Sequence, residues 1–226
     1  MASAAQPLAD LTLDELRLAL APAIAEAAVF DGWSKIALDT AADQHGVNRA
    51  VAALAFPGGA VEMIEAWIAR IDADMAQALP AEVLGQLKVR ERIRRLIGFR
   101  LEAATPAKEA LRRALANLAM PQNAARAARL GWSSADKMWR LAGDSATDYN
   151  HYTKRALLTA IYAATLAVFV DDDSEGHATT AAFLDRRIEG VMRFEKAKAR
   201  LLGSAGDEEH RFSLARLAGR LRYPAR

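Results

Sequence analysis

The sequence predicts an all-α protein, and three observations support this fold class. Hydrophobic residues make up 52% of the 226 residues, and Ala and Leu, which favour helices, dominate them. β-Branched residues are sparse, and the 13 Gly and 7 Pro are too few for the many turns of an all-β fold. Apolar residues also recur at helical spacing, as Met63, Ile64, Trp67 and Ile71 do.

The first 56 residues predict three helices. Thr12 and Glu15 form a capping box, so a first helix begins there and runs to about Phe30. A second helix ends near His45-Gly46, and a very short third helix covers Asn48–Ala55. Turn formers bound these helices at Asp31–Ser34 and at Phe56–Gly59. The Gly-containing turn between the second and third helices gives the outline of a helix-turn-helix head.

A longer helical body follows this head. The predicted body helices cover Ala60–Ala78, Glu82–Ala104, Ser145–Val170, and Ser174 or Glu175 to Phe194. Pro106 and Pro121 stand at or just ahead of further helix starts, where proline is tolerated. The chain thus divides into a disordered N-terminus (1–11), a head (12–56), a helical body (57–202), and a hinge with a C-terminal helix (203–226). A small three-helix head on a helical body is the plan of TetR-type regulators, an analogy of fold alone.

Composition excludes several classes of protein. The absence of Cys excludes disulfides, thiolate zinc sites and thiol catalysis. A pI near 9.0 at a net charge of only +2 is weak support for a polyanionic partner. Met1–Leu11 has neither a basic residue nor an apolar core, so we expect no signal or transit peptide. The longest apolar run, Ala156–Val170, is shorter than the roughly 20 residues of a spanning helix, which favours a buried central helix in a soluble, cytoplasmic protein.

The third helix of the head is poorly suited to reading DNA. Asn48 and Arg49 could touch a duplex, but every residue after them up to Ala55 is apolar. The head offers few cations for phosphate beyond Lys35 and Arg49, and its aspartates would repel the backbone: Asp31, Asp39 and Asp43. We therefore expect a degenerate helix-turn-helix head and no nucleic-acid partner.

One polar face could carry chemistry. Asp144, Asp148 and His151 are spaced i, i+4, i+7, so a helix would place them on one face that could bind a metal weakly or transfer protons. The favoured alternative is that the two aspartates stabilise the start of a helix through its dipole, with His151 exposed or partner-binding. The acidic run Asp171–Asp173 is common before a helix start. No nucleophile elbow, phosphate loop or dinucleotide motif is present, so we expect a non-enzyme without metal or cofactor.

The most informative stretch is Met138–Tyr162. Gly143 closes one helix and Asp144 or Ser145 caps the next. From Arg155 onward the second of these helices is apolar on nearly all faces, with small residues for close approach of neighbours: Ala156, Ala160, Ala163 and Ala167. The aromatic residues before it, with the preceding Met-Trp pair, are typical of interface anchors: Met138, Trp139, Tyr149, His151 and Tyr152. The alternative is that these aromatics wedge the helix junction.

These residues carry a resemblance to a known family. Residues Ala142–Arg155 read AGDSATDYNHYTKR, with a Gly-Asp-x-x-Thr-Asp motif, and they resemble the Coq-nine family of coenzyme Q biosynthesis proteins. Leu118–Asn123 (LAMPQN) and Ala55–Gly59 (AFPGG) with Trp67 add to the resemblance. It covers about Leu13 to Phe194 and is strongest over Leu118–Tyr162.

The resemblance implies a TetR-like helical bundle that does not bind DNA and forms a homodimer. It also implies a non-enzymatic lipid-binding role, in which the body holds an isoprenoid quinone intermediate or a phospholipid and presents it to the demethoxyubiquinone hydroxylase. That enzyme is expected to dock on the patch formed by Met138, Asp148, His151 and Tyr152, with Trp139 as a further anchor. The family often has Trp where this chain has His151, a side chain with less apolar area. The second hypothesis is a TetR-type ligand-responsive transcription regulator.

The last helix, Asp207–Leu221, is amphipathic. It follows the flexible Gly203-Ser204-Ala205-Gly206 and places Leu214, Leu217, Ala218 and Leu221 on one stripe, with Arg216 and Arg220 away from it. A short basic amphipathic helix can lie in an anionic lipid interface. The alternative is packing against the body or a second subunit. Because the family uses such a helix at membranes, we expect a bacterial cytoplasmic protein peripheral to the inner membrane.

Overall fold

The computed structural model describes residues 11–145 and 149–203. Over these residues the chain is all-α, with ten α-helices and no strand, so the predicted fold class is confirmed. The helices are α1 (Leu13–Asp31), α2 (Lys35–Gln44), α3 (Arg49–Ala55), α4 (Ala60–Ala78), α5 (Ala81–Leu84), α6 (Val89–Ala104), α7 (Lys108–Leu118), α8 (Ala124–Leu141), α9 (Tyr149–Val170) and α10 (Ala178–Gly203). Short 3₁₀ turns precede α7, α8 and α10, over Thr105–Ala107, Pro121–Asn123 and Glu175–His177.

The first helix joins the head to the body. The predicted capping box is present at its start: the Thr12 hydroxyl accepts a hydrogen bond from the backbone N–H of Glu15, and the Glu15 carboxylate accepts one from the Thr12 backbone. α1 packs against α2 and α3 and, on its other side, against α4 and α7. Trp33, after the Gly32 break, stacks on Trp67 at 5.5 Å between ring centroids and donates its indole N–H to Ala110 O. Head and body therefore share one apolar core.

The predicted helix over Glu82–Ala104 is wrong as a single element. α5 ends at Leu84, and α6 begins only at Val89. The guanidinium of Arg92 holds the intervening turn, because its Nε and Nη2 atoms donate to the carbonyl oxygens of Leu87 and Gly85 at 2.8 and 2.9 Å. Other predicted bounds need smaller corrections, since Ser145 lies outside a helix and α10 continues past Phe194 to Gly203.

Only one face of α9 is buried. In the described part of the chain, one segment, His151–Val170, is long and apolar enough to cross a membrane. The helices Arg49–Ala55 and Ala60–Ala78 also meet this test when they are taken together, although they are sharply bent relative to each other. Core helices of soluble proteins meet the same length and composition criteria. Only 39% of the apolar window in α9 is buried, so the predicted buried central helix is buried along one face alone in the single chain. The small residues predicted to admit close neighbours are exposed in the single chain: Ala156, Ala160, Ala163 and Ala167.

The acidic loop before α10 is a capping structure. Asp172 is buried, and its carboxylate accepts hydrogen bonds from the backbone and hydroxyl groups of both Ser174 and Thr180. These bonds hold the pKa of Asp172 well below its usual range. The neighbouring Asp171 pairs with Arg112 at 3.0 Å. Asp172 therefore fastens the end of α9 to the start of α10, and Asp171 ties the same loop to α7.

The chain divides into two compact units, residues 1–185 and 186–226. The first contains α1 to α9 and the opening turns of α10. The described part of the second, residues 186–203, is the remainder of α10. The predicted disordered N-terminus, apart from residue 11, and the predicted amphipathic helix lie outside the described residues. So do five predicted membrane-binding residues: Leu214, Arg216, Leu217, Arg220 and Leu221.

Candidate functional site

An apolar cavity of about 410 Å³ lies inside the first unit, between α4, α6, α7, α8 and α9. Its apolar lining consists of Ile64, Trp67, Ile68, Ile71, Ala104, Leu111, Ala114, Leu115, Leu118, Ala119, Ala127, Ala128, Leu130, Gly131, Ala163 and Leu166. Ala119, Ala128 and Ala163 are exposed, so small side chains form its mouth. The volume lies within the range of about 300–1,000 Å³ that is typical of small-molecule sites.

The crossing of α8 and α9 beside the cavity requires a glycine. A Cβ atom on Gly131 would lie 2.8 Å from Cγ2 of Thr159, too close for any real contact. The Thr159 hydroxyl lies 2.8 Å from the Arg155 carbonyl oxygen and 3.2 Å from the Gly131 carbonyl oxygen, which can both accept from it. At this point the backbone of α8 is therefore in direct contact with the Thr159 side chain of α9.

One end of the cavity is polar. Arg100 reaches it from α6 with only 2% of its side chain exposed, and its Nη1 atom donates to the Asp72 carboxylate. Its other donors reach Tyr162 Oη at 2.9 Å and Ser134 Oγ at 3.1 Å. Lys137 binds the second oxygen of Asp72 at 2.9 Å, and the pKa of Lys137 is lowered by burial and by the nearby Arg100. No local pattern in the sequence predicted this cluster.

The Gly-Asp pair of the motif builds the junction between α8 and α9. Gly143 has a φ of +86°, which a residue with a side chain rarely adopts. Arg92 Nη1 donates to the Ala142 carbonyl oxygen at 2.7 Å and lies 3.1 Å from where a Cβ of Gly143 would be. A larger residue than glycine would therefore be strained by this φ and would push against the arginine that holds the junction.

Asp144 belongs to a buried charge cluster. Its carboxylate accepts from Lys154 Nζ at 2.6 Å and from Arg155 Nη1 at 3.0 Å, and Arg155 also donates to Asp136 at 2.6 Å. The side chain of Arg155 is 2% exposed and that of Asp144 is 6% exposed. Burial would raise the pKa of Asp144, but the hydrogen bonds from Lys154 and Arg155 outweigh it and lower the pKa. Asp144 thus anchors α9 rather than facing outward with His151 to bind a metal.

The predicted docking residues occupy different depths. Tyr152 is 61% exposed, and its ring lies 5.2 Å from that of His151. Trp139 is half-buried, with its indole N–H donating to the Lys154 carbonyl oxygen at 3.0 Å. Met138 is fully buried, so its side chain can shape the surface only from below. Asp148 lies outside the described residues.

Trp132 joins this surface although it was not predicted. Its ring centroid lies 6.1 Å from that of Tyr152. The signal was available, because Trp132 and Trp139 are seven residues apart and so lie on the same side of one helix. We call the group formed by the exposed Tyr152 and the half-buried Trp132, Trp139 and His151 the aromatic surface.

The polar residues of the head bind one another. Asn48 Oδ1 caps α3 by accepting from the Ala50 N–H at 2.8 Å. Arg49 forms two hydrogen bonds with Asp43, and Lys35 binds Asp39 at 2.6 Å. Both cations are therefore neutralised within the head. The outward face of α3 instead presents two exposed apolar side chains, Val51 and Leu54.

Comparison with known proteins connects this geometry to a family. The COQ9 family model matches residues 124–195, which contain α8, α9 and most of α10. The predicted resemblance is confirmed. The "Ubiquinone biosynthesis protein COQ9, mitochondrial" of Rattus norvegicus is 34% identical over 168 residues, covering 71% of this chain and 54% of that protein. The Homo sapiens protein of the same name is 33% identical and covers 71% of this chain and 52% of its own length.

A third relative extends the match along the chain. The COQ9 of Drosophila melanogaster is 26% identical over 212 residues, which cover 92% of this chain and 65% of that protein. The chain spans about half the length of the mammalian relatives it matches.

The TetR-like fold is confirmed by a solved structure. The TetR transcriptional regulator from Nitrosomonas europaea ATCC 19718 superposes with a TM-score of 0.63, covering 77% of this chain and 97% of the regulator. At 23% identity this likeness concerns the fold alone.

Proposed function

We propose that this chain is a non-enzymatic lipid-binding protein of ubiquinone biosynthesis. It would bind an isoprenoid quinone intermediate, or a phospholipid, at the membrane and present the quinone intermediate to the demethoxyubiquinone hydroxylase. The observation that carries the proposal is the 410 Å³ apolar cavity in a chain whose α8–α9 segment matches COQ9. A polyprenyl chain is poorly soluble in water, so a cavity that shields it stabilises it in transit.

The aromatic surface supports docking of the hydroxylase. Exposed aromatic side chains over a rigid base are enriched at binding hot spots. The base here is the Asp144–Arg155 cluster together with the Trp139–Lys154 hydrogen bond. The cavity and the aromatic surface also share α8 and α9. Gly131 lines the cavity next to Trp132 on α8, and Thr159 lines it on α9, the helix that carries His151 and Tyr152. A ligand held in the cavity would lie close to an enzyme docked on this surface.

Two further parts of the proposal concern assembly. A homodimer is supported by the uncovered apolar face of α9, where Leu157 is 42% exposed beside the exposed alanines.

Membrane contact is supported by the amphipathic pattern of Asp207–Leu221. Deleting 207–226 should reduce flotation with vesicles that contain anionic phospholipid while the melting temperature stays the same. Unchanged flotation would remove the membrane role from this segment.

Extraction of the purified protein with organic solvent, followed by mass spectrometry, tests the central proposal. We expect an isoprenoid quinone intermediate or a phospholipid at a substantial fraction of the protein concentration. Ala128→Trp, at the cavity mouth, should lose this lipid, whereas Ala125→Trp, which is exposed on the same helix but outside the cavity, should retain it. A lipid-free wild-type protein, or equal retention by both variants, would contradict the proposal.

The regulator hypothesis has a direct test. The pairing of Arg49 with Asp43 and of Lys35 with Asp39 leaves little free charge for phosphate on α2 and α3. We expect no sequence-specific gel shift at physiological salt. A salt-sensitive, sequence-specific shift by the purified protein would favour a transcription regulator instead.

A further inference from the structure

The polar end of the cavity is a prepared hydrogen-bonding site. Arg100 is almost completely buried, and its guanidinium contacts Asp72, Ser134 and Tyr162. A buried arginine is tolerated only when its charge is paired and its N–H groups are bonded. Asp72, itself 3% exposed and not among the residues that line the cavity, supplies the pairing charge from α4. Arg100 is thereby fixed in place with its charge already compensated.

The hydroxyl groups at this end act as acceptors towards Arg100. Tyr162 Oη accepts from Nε, and Ser134 Oγ accepts from Nη2. Within the described residues neither hydroxyl proton is used in a hydrogen bond, whereas the Thr159 hydroxyl already bonds to the Arg155 carbonyl oxygen. A hydroxyl that accepts one bond still has a proton to donate. The Ser134 and Tyr162 hydroxyl groups can therefore donate hydrogen bonds to a molecule in the cavity. A ligand that fits this end must carry an oxygen that accepts them.

The charge balance selects between kinds of acceptor. A carboxylate or phosphate placed here would lose its hydration. Arg100 is already paired with Asp72. Lys137, the second cation on that carboxylate, is 45% exposed and does not line the cavity, so solvent rather than a group in the cavity meets its charge. A carbonyl or ether oxygen has no such penalty, because it carries no net charge to desolvate.

We propose that Ser134 and Tyr162, held by the Arg100–Asp72 pair, select the head group of the bound lipid. The ligand is a molecule with an apolar chain and an uncharged head that carries an acceptor oxygen, such as a quinone carbonyl. This inference rests on the proposed lipid-binding function and specifies which chemistry the cavity prefers. At about 410 Å³ the cavity is small for such sites, so the head and the first part of the chain fill it and the remaining chain leaves between Ala119, Ala128 and Ala163.

Tryptophan fluorescence provides the assay, because Trp67 lines the cavity and a bound quinone quenches its emission. The delipidated full chain is titrated with a benzoquinone that carries a ten-carbon chain. A fatty acid and a plain alkane of similar length are then measured by displacement of that quinone. We expect the quinone to bind at least about 10-fold more tightly than the fatty acid at neutral pH. Ser134→Ala and Tyr162→Phe should each weaken the quinone about 2- to 10-fold and leave the alkane unchanged.

Matched variants control for indirect effects. Ser133→Ala removes the neighbouring serine of α8, which is exposed and outside the cavity, and Tyr152→Phe removes a tyrosine hydroxyl of the aromatic surface. Both should leave the quinone affinity unchanged, and circular dichroism establishes that every variant is folded. The head-group assignment is wrong if quinone and alkane bind but the Ser134 and Tyr162 variants retain full quinone affinity. It is also wrong if the fatty acid binds more tightly than the quinone. In both cases the proposed lipid-binding function stands. If none of the three probes binds, the proposed function itself fails.

Discussion

Replacing Asp144 by Ala removes one of the two carboxylates that neutralise the buried guanidinium of Arg155. Removing one partner of a buried ion pair costs about 3–5 kcal/mol. Arg155 keeps its 2.6 Å contact with Asp136, so we expect a smaller loss of about 2–3 kcal/mol in the free energy of unfolding. For a chain of this size that loss lowers the melting temperature by about 4–12 °C.

The control is an aspartate–arginine pair at the surface. Asp74 and Arg70 form an i,i+4 pair whose side chains are about two-fifths exposed. Asp74→Ala should therefore cost less than about 0.5 kcal/mol. Melting curves followed by circular dichroism compare both variants with the wild type in the same buffer. Equal losses for Asp144→Ala and Asp74→Ala would refute the assignment of Asp144 as a buried anchor.

The pH dependence of the same variant gives a second readout. Because the pKa of folded Asp144 is lowered, its stabilising effect is fully present above the unfolded value of about 3.9 and is lost as the pH falls through the folded value. The difference in melting temperature between wild type and Asp144→Ala should therefore be constant above about pH 5 and shrink below about pH 4. A difference that persists unchanged in acid would mean that the lost stability is not electrostatic.

Three further predictions concern the aromatic surface, the helix crossing and the acidic loop. Tyr152→Glu should weaken hydroxylase binding at least about 10-fold in a titration while the melting temperature changes little, since the ring is mostly exposed; intact binding would place the docking surface elsewhere. Gly131→Ala should cost about 1–3 kcal/mol and reduce lipid retention, because its Cβ meets Thr159; an unchanged melting curve would mean that α8 and α9 separate easily. Asp172→Ala should lower the melting temperature at pH 7 but not in strong acid, because the depressed pKa of Asp172 makes its contribution disappear as the pH falls; equal stability at pH 7 would refute its capping role.

Local signals in the sequence predicted most of the helices. The capping box at Thr12 and Glu15 predicted the start of α1, and the turn-forming residues Phe56–Gly59 predicted the end of α3. The break between α5 and α6 was missed because it depends on Arg92, whose guanidinium also binds the Ala142 carbonyl oxygen fifty residues later. Contacts at that separation leave no periodic trace in a window of one or two helical turns.

The candidate site was predictable only in part. The family motif led to Trp139 and Tyr152, but nothing in it distinguishes a buried Met138 from an exposed one. The polar end of the cavity was missed because Asp72, Arg100, Ser134 and Tyr162 come from four different helices. A partial signal existed for Arg100, which falls on the same helical face as Ile93, Leu96 and Ile97 and so interrupts an apolar stripe.

The proposed lipid-binding and docking roles both depend on the junction of α8 and α9, and buried charges explain how that junction is held. The head neutralises its own cations, whereas the body uses buried pairs to fix two helices that carry both cavity and surface. Ser134, the proposed partner of the head group, lies about 6 Å along α8 from the buried Met138. We therefore expect ligand and hydroxylase to influence each other's affinity through this one rigid junction. Asp144→Ala, which loosens the junction without touching either ligand, should weaken that mutual effect more than it weakens lipid binding alone.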